Sequence, residues 1–158
     1  MHLPPLLRAV RRFAAARPEA RRFAARAWIA APLVRASLGL VGLRSTLRWV
    51  EAAPTRGSAR SSPSPITVDE GAALVRGAFR AHVVGGECLP QSVVQYLLHR
   101  RDGLGVRLVI GVQRVQPPPQ PGHGGPIAAH AWVEAEAPPA GASTFSPIFT
   151  VGAGRRAA

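Results

Sequence analysis

Apolar residues recur at helical spacing through the first third of the chain. Leu6, Leu7, Val10, Phe13 and Ala14 form one stripe, with Arg8, Arg11 and Arg12 between them. Pro18 ends that segment or opens the next as a first-turn proline, and Glu19 suits the positive end of a helix. Phe23, Ala27, Ile29, Ala30, Leu33 and Val34 are expected to continue the apolar face, with a kink or break at Pro32. Leu40, Leu43, Leu47 and Val50 make a further stripe. The most apolar stretch, residues 27–43, carries Arg35 in its middle. A central arginine costs about 2.5 kcal/mol or more inside a bilayer, so a buried helix is expected there rather than a membrane span.

Residues 54–65 are Ser, Pro, Gly and Arg with hardly an apolar side chain, which reads as a linker. Thr67 and Glu70 have the spacing of a capping box, opening a helix that turns Ala73, Leu74, Ala78 and Phe79 inward and runs to about Val83. Gly85 and Gly86 break the chain, and Pro90 fits the first turn of a helix reaching about Arg101, with Val93, Val94, Leu97 and Leu98 on its apolar side. Asp102-Gly103 is a turn. Residues 106–115, 127–135 and 144–151 read as three strands separated by Pro/Gly-rich connections. Helices first and a small antiparallel sheet afterwards make an α+β fold. The expected division is a helical region over 1–53, a linker over 54–65, a core over 66–152 and a tail over 153–158.

The composition narrows the function. Hydrophobic residues make up 47% of the 158 residues, enough for a real core, and the net charge is +12. All 20 basic residues other than histidine are arginine, in a chain rich in Ala, Gly and Pro. Such an excess favours acidic partners: an acidic peptide or protein, nucleic acid, or a membrane surface. A single cysteine forms no internal disulfide, and the start of the chain has no signal-peptide pattern, so a cytoplasmic location is expected.

That cysteine is the candidate for chemistry. Cys88 lies in Gly85-Gly86-Glu87-Cys88-Leu89-Pro90-Gln91-Ser92, just before a proline-started helix, where free N–H groups and the helix dipole favour a thiolate and can hold an oxyanion. His130, in Ala129-His130-Ala131-Trp132-Val133-Glu134, is the candidate base. The bland alternatives are a small buried thiol and a half-buried strand histidine beside a tryptophan. His82, His99 and His123 are expected at the surface, and no zinc-ligand spacing is present.

Cys88-Leu89-Pro90-Gln91-Ser92, the Leu108-Val109-Ile110-Gly111-Val112 run and His130-Ala131-Trp132-Val133-Glu134 together resemble the lasso-peptide leader peptidases, which are transglutaminase-like cysteine proteases. The resemblance covers residues 68–151. It implies a helix bearing the cysteine packed on a sheet bearing the histidine, as in papain-like and transglutaminase-like cores. The implied activity is a cysteine peptidase that removes the leader from a ribosomally made lasso precursor peptide, before a separate ATP-dependent cyclase closes the macrolactam. It implies no cofactor or metal, and a separate leader-binding protein, for which the Arg-rich N-terminal helices are a candidate docking surface.

One element of the family pattern is missing. The family places an aspartate about a dozen residues after the histidine, but here Ala142 and Ser143 stand there, and no Asp, Glu, Asn or Gln follows Glu136. Glu134 is about 13 Å along a strand from His130 at 3.3 Å per residue, so Ser143, Thr144 or a backbone carbonyl are the nearer candidates to orient the imidazole. The chain is therefore expected to be either a Cys88–His130 dyad or a weakened peptidase. The alternatives are a non-enzymatic Arg-rich protein of nucleic acid or of a membrane surface. With 6% aromatics and no reading motif, nucleic acid is not expected as a partner, and membrane contact is the lesser alternative.

Overall fold

The structure is a computed structural model and describes residues 15–55, 66–81, 88–114, 127–135 and 145–152. Three helices precede three strands: α1 (Pro18–Ala52), α2 (Val68–Ala81), α3 (Cys88–Arg101), β1 (Val106–Arg114), β2 (Ile127–Ala135) and β3 (Ser146–Gly152). The strands form one antiparallel sheet in the order β2-β1-β3. This is the α+β architecture that the hydrophobic pattern predicts.

α1 consists of two arms. The break is at Gly42 (φ 77, ψ 172), while Pro32 lies inside a continuous helical arm. Only glycine adopts that backbone without strain. Ser37 and Thr46 would be about 13 Å apart in a straight helix, yet their hydroxyls are 2.8 Å apart. Thr46 Oγ1 also lies 2.9 Å from the Gly42 carbonyl, so the buried hydroxyl closes the corner. Proline costs one helical hydrogen bond and a modest bend, whereas the positive φ of Gly42 redirects the chain.

The buried stripe of the first arm is Ala20, Phe23, Ala27, Ala30, Ala31 and Val34. Ile29 and Leu33, expected inside, are exposed, and so are Trp28 and Leu40. At 100° per residue they fall away from the line through Phe23, Ala27 and Val34. The stretch over 27–43 is thus not a buried helix: one face packs and the other is open. In α2, Val75 takes the inward position expected of Ala73, which is exposed.

α3 is the central element, and Val93, Val94, Tyr96, Leu97 and Leu98 join the core. Its polar residues Ser92, Gln95 and His99 are buried as well. Gln95 Nε2 donates to the Val68 carbonyl at 2.8 Å and so ties α3 to the start of α2. His99 was expected at the surface but is fully buried against Phe23, with both ring nitrogens unpartnered. A Cβ on Gly71 would overlap its imidazole, so that glycine makes room for the ring. His82 and His123 lie outside the described residues.

The helix ends follow local chemistry. The Glu70 N–H donates to Thr67 Oγ1 at 3.2 Å, the expected N-cap, while the Glu70 carboxylate binds Arg17. α3 closes with Gly103 at φ 81, the Leu104 N–H reaching the His99 carbonyl and the Gly103 N–H that of Arg100, a Schellman arrangement. Arg26 clamps Asp102 in this turn through two bonds of 2.6 and 2.7 Å. Val106, Leu108 and Val133 of the sheet face the helices and complete the core.

Candidate functional site

Cys88 is the first residue of α3 and is half-buried. The first N–H groups of a helix have no partner within it. Pro90 removes one of them, leaving those of Cys88, Leu89 and Gln91 at the positive end of the helix dipole.

One turn further, Ser92 Oγ donates to the carbonyl of Ala131 at 2.8 Å in a buried bond. Residues four apart share a helix face about 6 Å apart along the axis, so Cys88 stands one turn above this anchor. Ala131 follows His130 directly. The bond therefore holds the start of the cysteine helix beside the strand segment that carries the histidine. β2 is an edge strand. Its Ala131 carbonyl accepts from α3 rather than from β1, so the first turn of α3 covers that edge. Sequence reasoning did not single out Ser92. Its signal was a lone hydroxyl on an otherwise apolar stretch, one turn after the cysteine.

His130 alternates with the inward-facing Ala131 and Val133 and is exposed. Its ring stacks on Trp132 (centroids 6.0 Å, 16°) and is tilted against Phe145 (5.3 Å, 37°), and these two rings also meet at 6.2 Å. Gly111 is the cross-strand neighbour of His130. A Cβ there would lie 2.8 Å from the Trp132 indole, so the indole lies across the missing side chain. Phe145 was not foreseen; it comes from the residue just before β3, which the strand register brings to this face.

Glu134 is engaged elsewhere. Arg107 Nε lies 2.8 Å from its Oε1, an ion pair at too poor an angle for a hydrogen bond, and the Trp132 indole N–H is 3.5 Å from Oε2. Trp132 also occupies the outer-face position between Glu134 and His130. Ser143 and Thr144 lie outside the described residues. The structure thus brings the start of the Cys88 helix and the His130 strand together through Ser92, and leaves Glu134 with Arg107.

A family model described as the transglutaminase-like superfamily matches residues 29–150, from within the first arm of α1 through nearly all of β3. No curated protein and no solved structure matches the chain. A fold of helices followed by a three-stranded antiparallel sheet accords with this match, which spans well over half of the sequence, and the chain belongs to the transglutaminase-like superfamily.

Proposed function

We propose that this protein is a cysteine peptidase that removes the leader from a ribosomally made lasso precursor peptide in the cytoplasm. Transglutaminase-like membership is compatible with a cysteine peptidase, and the sequence signatures around Cys88 and His130 carry the narrower reading. The observation that bears most weight is the Ser92–Ala131 hydrogen bond, because it sets the thiol-bearing helix start at the histidine-bearing strand.

In this reading the Cys88 thiolate attacks the carbonyl carbon of the bond between leader and core. The N–H groups at the start of α3 hold the oxyanion. The His130 imidazolium gives its proton to the leaving amine, which departs as the N-terminus of the core and leaves the leader as a thioester on Cys88. His130 then takes a proton from water, whose oxygen attacks the thioester and releases the leader carboxylate and the thiol. With Glu134 held by Arg107, the pair works as a dyad whose imidazole is packed between Trp132 and Phe145. A separate leader-binding protein delivers the precursor, and a macrolactam cyclase takes the freed core.

The test is incubation with precursor peptide and leader-binding protein, with leader release followed by mass spectrometry. The parent is expected to release the leader, and Cys88→Ala and His130→Ala to lose release by at least about a thousandfold. Cleavage by Cys88→Ala at the parental rate would overturn the assignment of the nucleophile.

A further inference from the structure

The outward face of α1 is a second functional surface, independent of the peptidase reading. Trp28, Ile29, Leu33, Leu40 and Val41 are each more than half exposed, at 52, 59, 57, 84 and 58%. Between Ala27 and Leu43 the only charged residue is Arg35, which is half-buried at the side of the helix. A helix on a soluble surface normally turns charged and polar residues outward. Here the outward line from residue 25 to residue 40 is free of charge for about 24 Å at 1.5 Å per residue. Scattered exposed apolar side chains are ordinary, but a continuous strip of them marks a contact surface.

The charge around the strip indicates what covers it. Arg21 and Arg22 stand exposed at its start, and Arg44 and Arg48 stand exposed beyond the Gly42 corner. The whole chain carries +12. An uncharged strip with a tryptophan and with arginines at both ends has the make-up of a helix lying in a membrane interface. Its apolar side enters the acyl boundary while its cations meet lipid phosphates. By length and composition α1 would suffice to cross a membrane. Its other face, however, is fixed in the core through Phe23, Ala27 and Val34, Arg26 is clamped to Asp102, and Gly42 turns the chain. Lying flat satisfies all of these; spanning satisfies none.

We propose that the protein docks on anionic lipid bilayers through the outward face of the first arm of α1, with Arg44 and Arg48 reaching the headgroups.

Co-sedimentation of the full-length protein with vesicles tests this. Binding is expected to phosphatidylcholine vesicles containing about a quarter phosphatidylglycerol, and to weaken in pure phosphatidylcholine and at high salt. Leu33→Glu/Leu40→Glu is expected to need at least about tenfold more lipid for half-binding, with an unchanged circular dichroism spectrum. Both side chains are exposed, so folding is not at stake. Arg44→Glu/Arg48→Glu keeps the strip and is expected to lose the preference for anionic vesicles. Absence of binding to the anionic vesicles, or equal binding by the Leu33/Leu40 variant, would overturn the proposal. So would a dimer by light scattering that becomes a monomer in that variant, because the face would then belong to a second copy. Leader release in the absence of vesicles reads the peptidase proposal separately.

Discussion

Ser92 has more influence on the site than its size suggests. Its hydroxyl satisfies a strand-edge carbonyl that would otherwise be buried without a donor, a loss of about 1–3 kcal/mol. It does so one turn from the thiol. Ser92→Ala is expected to lower kcat for leader release by about tenfold or more, through misplacement of Cys88 relative to His130, with KM for the precursor little changed. Ser92→Thr, which keeps the hydroxyl, should restore much of the rate. A loss confined to KM would mean that Ser92 serves substrate binding instead. At this scale Cys88 was legible because a glycine pair, a proline and an apolar run announce a helix start. Ser92 and Phe145 were not legible, because each acts through a partner some forty residues or more away in sequence or in a neighbouring strand.

At the scale of elements, starts and stops that depend on local chemistry could be read. Thr67 caps α2, Pro90 sits in the first turn of α3 and Gly103 ends it. The break in α1 could not be read, because proline is the more conspicuous helix disturber while a positive φ leaves no mark in composition. The C-terminus of α1 also lacked a signal, since its last turn has no basic residue. The cation comes from α3: the Arg100 guanidinium donates to the carbonyls of Val50, Glu51 and Ala53 at 3.0, 2.6 and 2.9 Å. One side chain thus satisfies three orphan acceptors at the negative end of the dipole and joins two helices. Arg100→Ala is expected to cost about 2 kcal/mol, read as a lower urea midpoint with an unchanged slope. Arg100→Lys should recover only part, because an ammonium lacks the planar fork.

Across the whole molecule, the α+β class followed from element order, and burial did not. Helical spacing shows which residues share a face but not which faces find partners. α1 leaves one apolar face open, whereas α3 is enclosed on every side and takes His99 inside. Burial pushes the His99 imidazole down from 6.5 to about 4; Arg26 acts in the same direction and Asp102 opposes it. The unfolded chain binds this proton below about pH 6.5 and the folded chain only below about pH 4. Stability is therefore full above about pH 6.5 and declines as pH falls toward 4, by up to about 3 kcal/mol from this group. His99→Leu should reduce the drop in Tm between pH 7.5 and pH 4.5, measured by thermal unfolding. An identical drop in both proteins would place the acid sensitivity elsewhere.

The sheet has two edges, and the protein treats them differently. The edge at β2 is covered by the first turn of α3. Among the described residues β3 pairs only with β1, and Ile148 and Phe149 on it are exposed at 65 and 43%. Such an edge is a template for another chain to extend, and thus a route to aggregation. The register of β3 shifts between Ile110 and Gly111, pairing Phe149 and then Pro147, so Ile148 is passed over, and Pro147 brings no N–H to either side. The bulge and the proline keep the uninterrupted ladder on this edge short. A newly made copy meeting its neighbours in a crowded solution is offered too few consecutive hydrogen-bonding groups to grow a fibril, which lets a catalytic sheet of three strands keep one side bare.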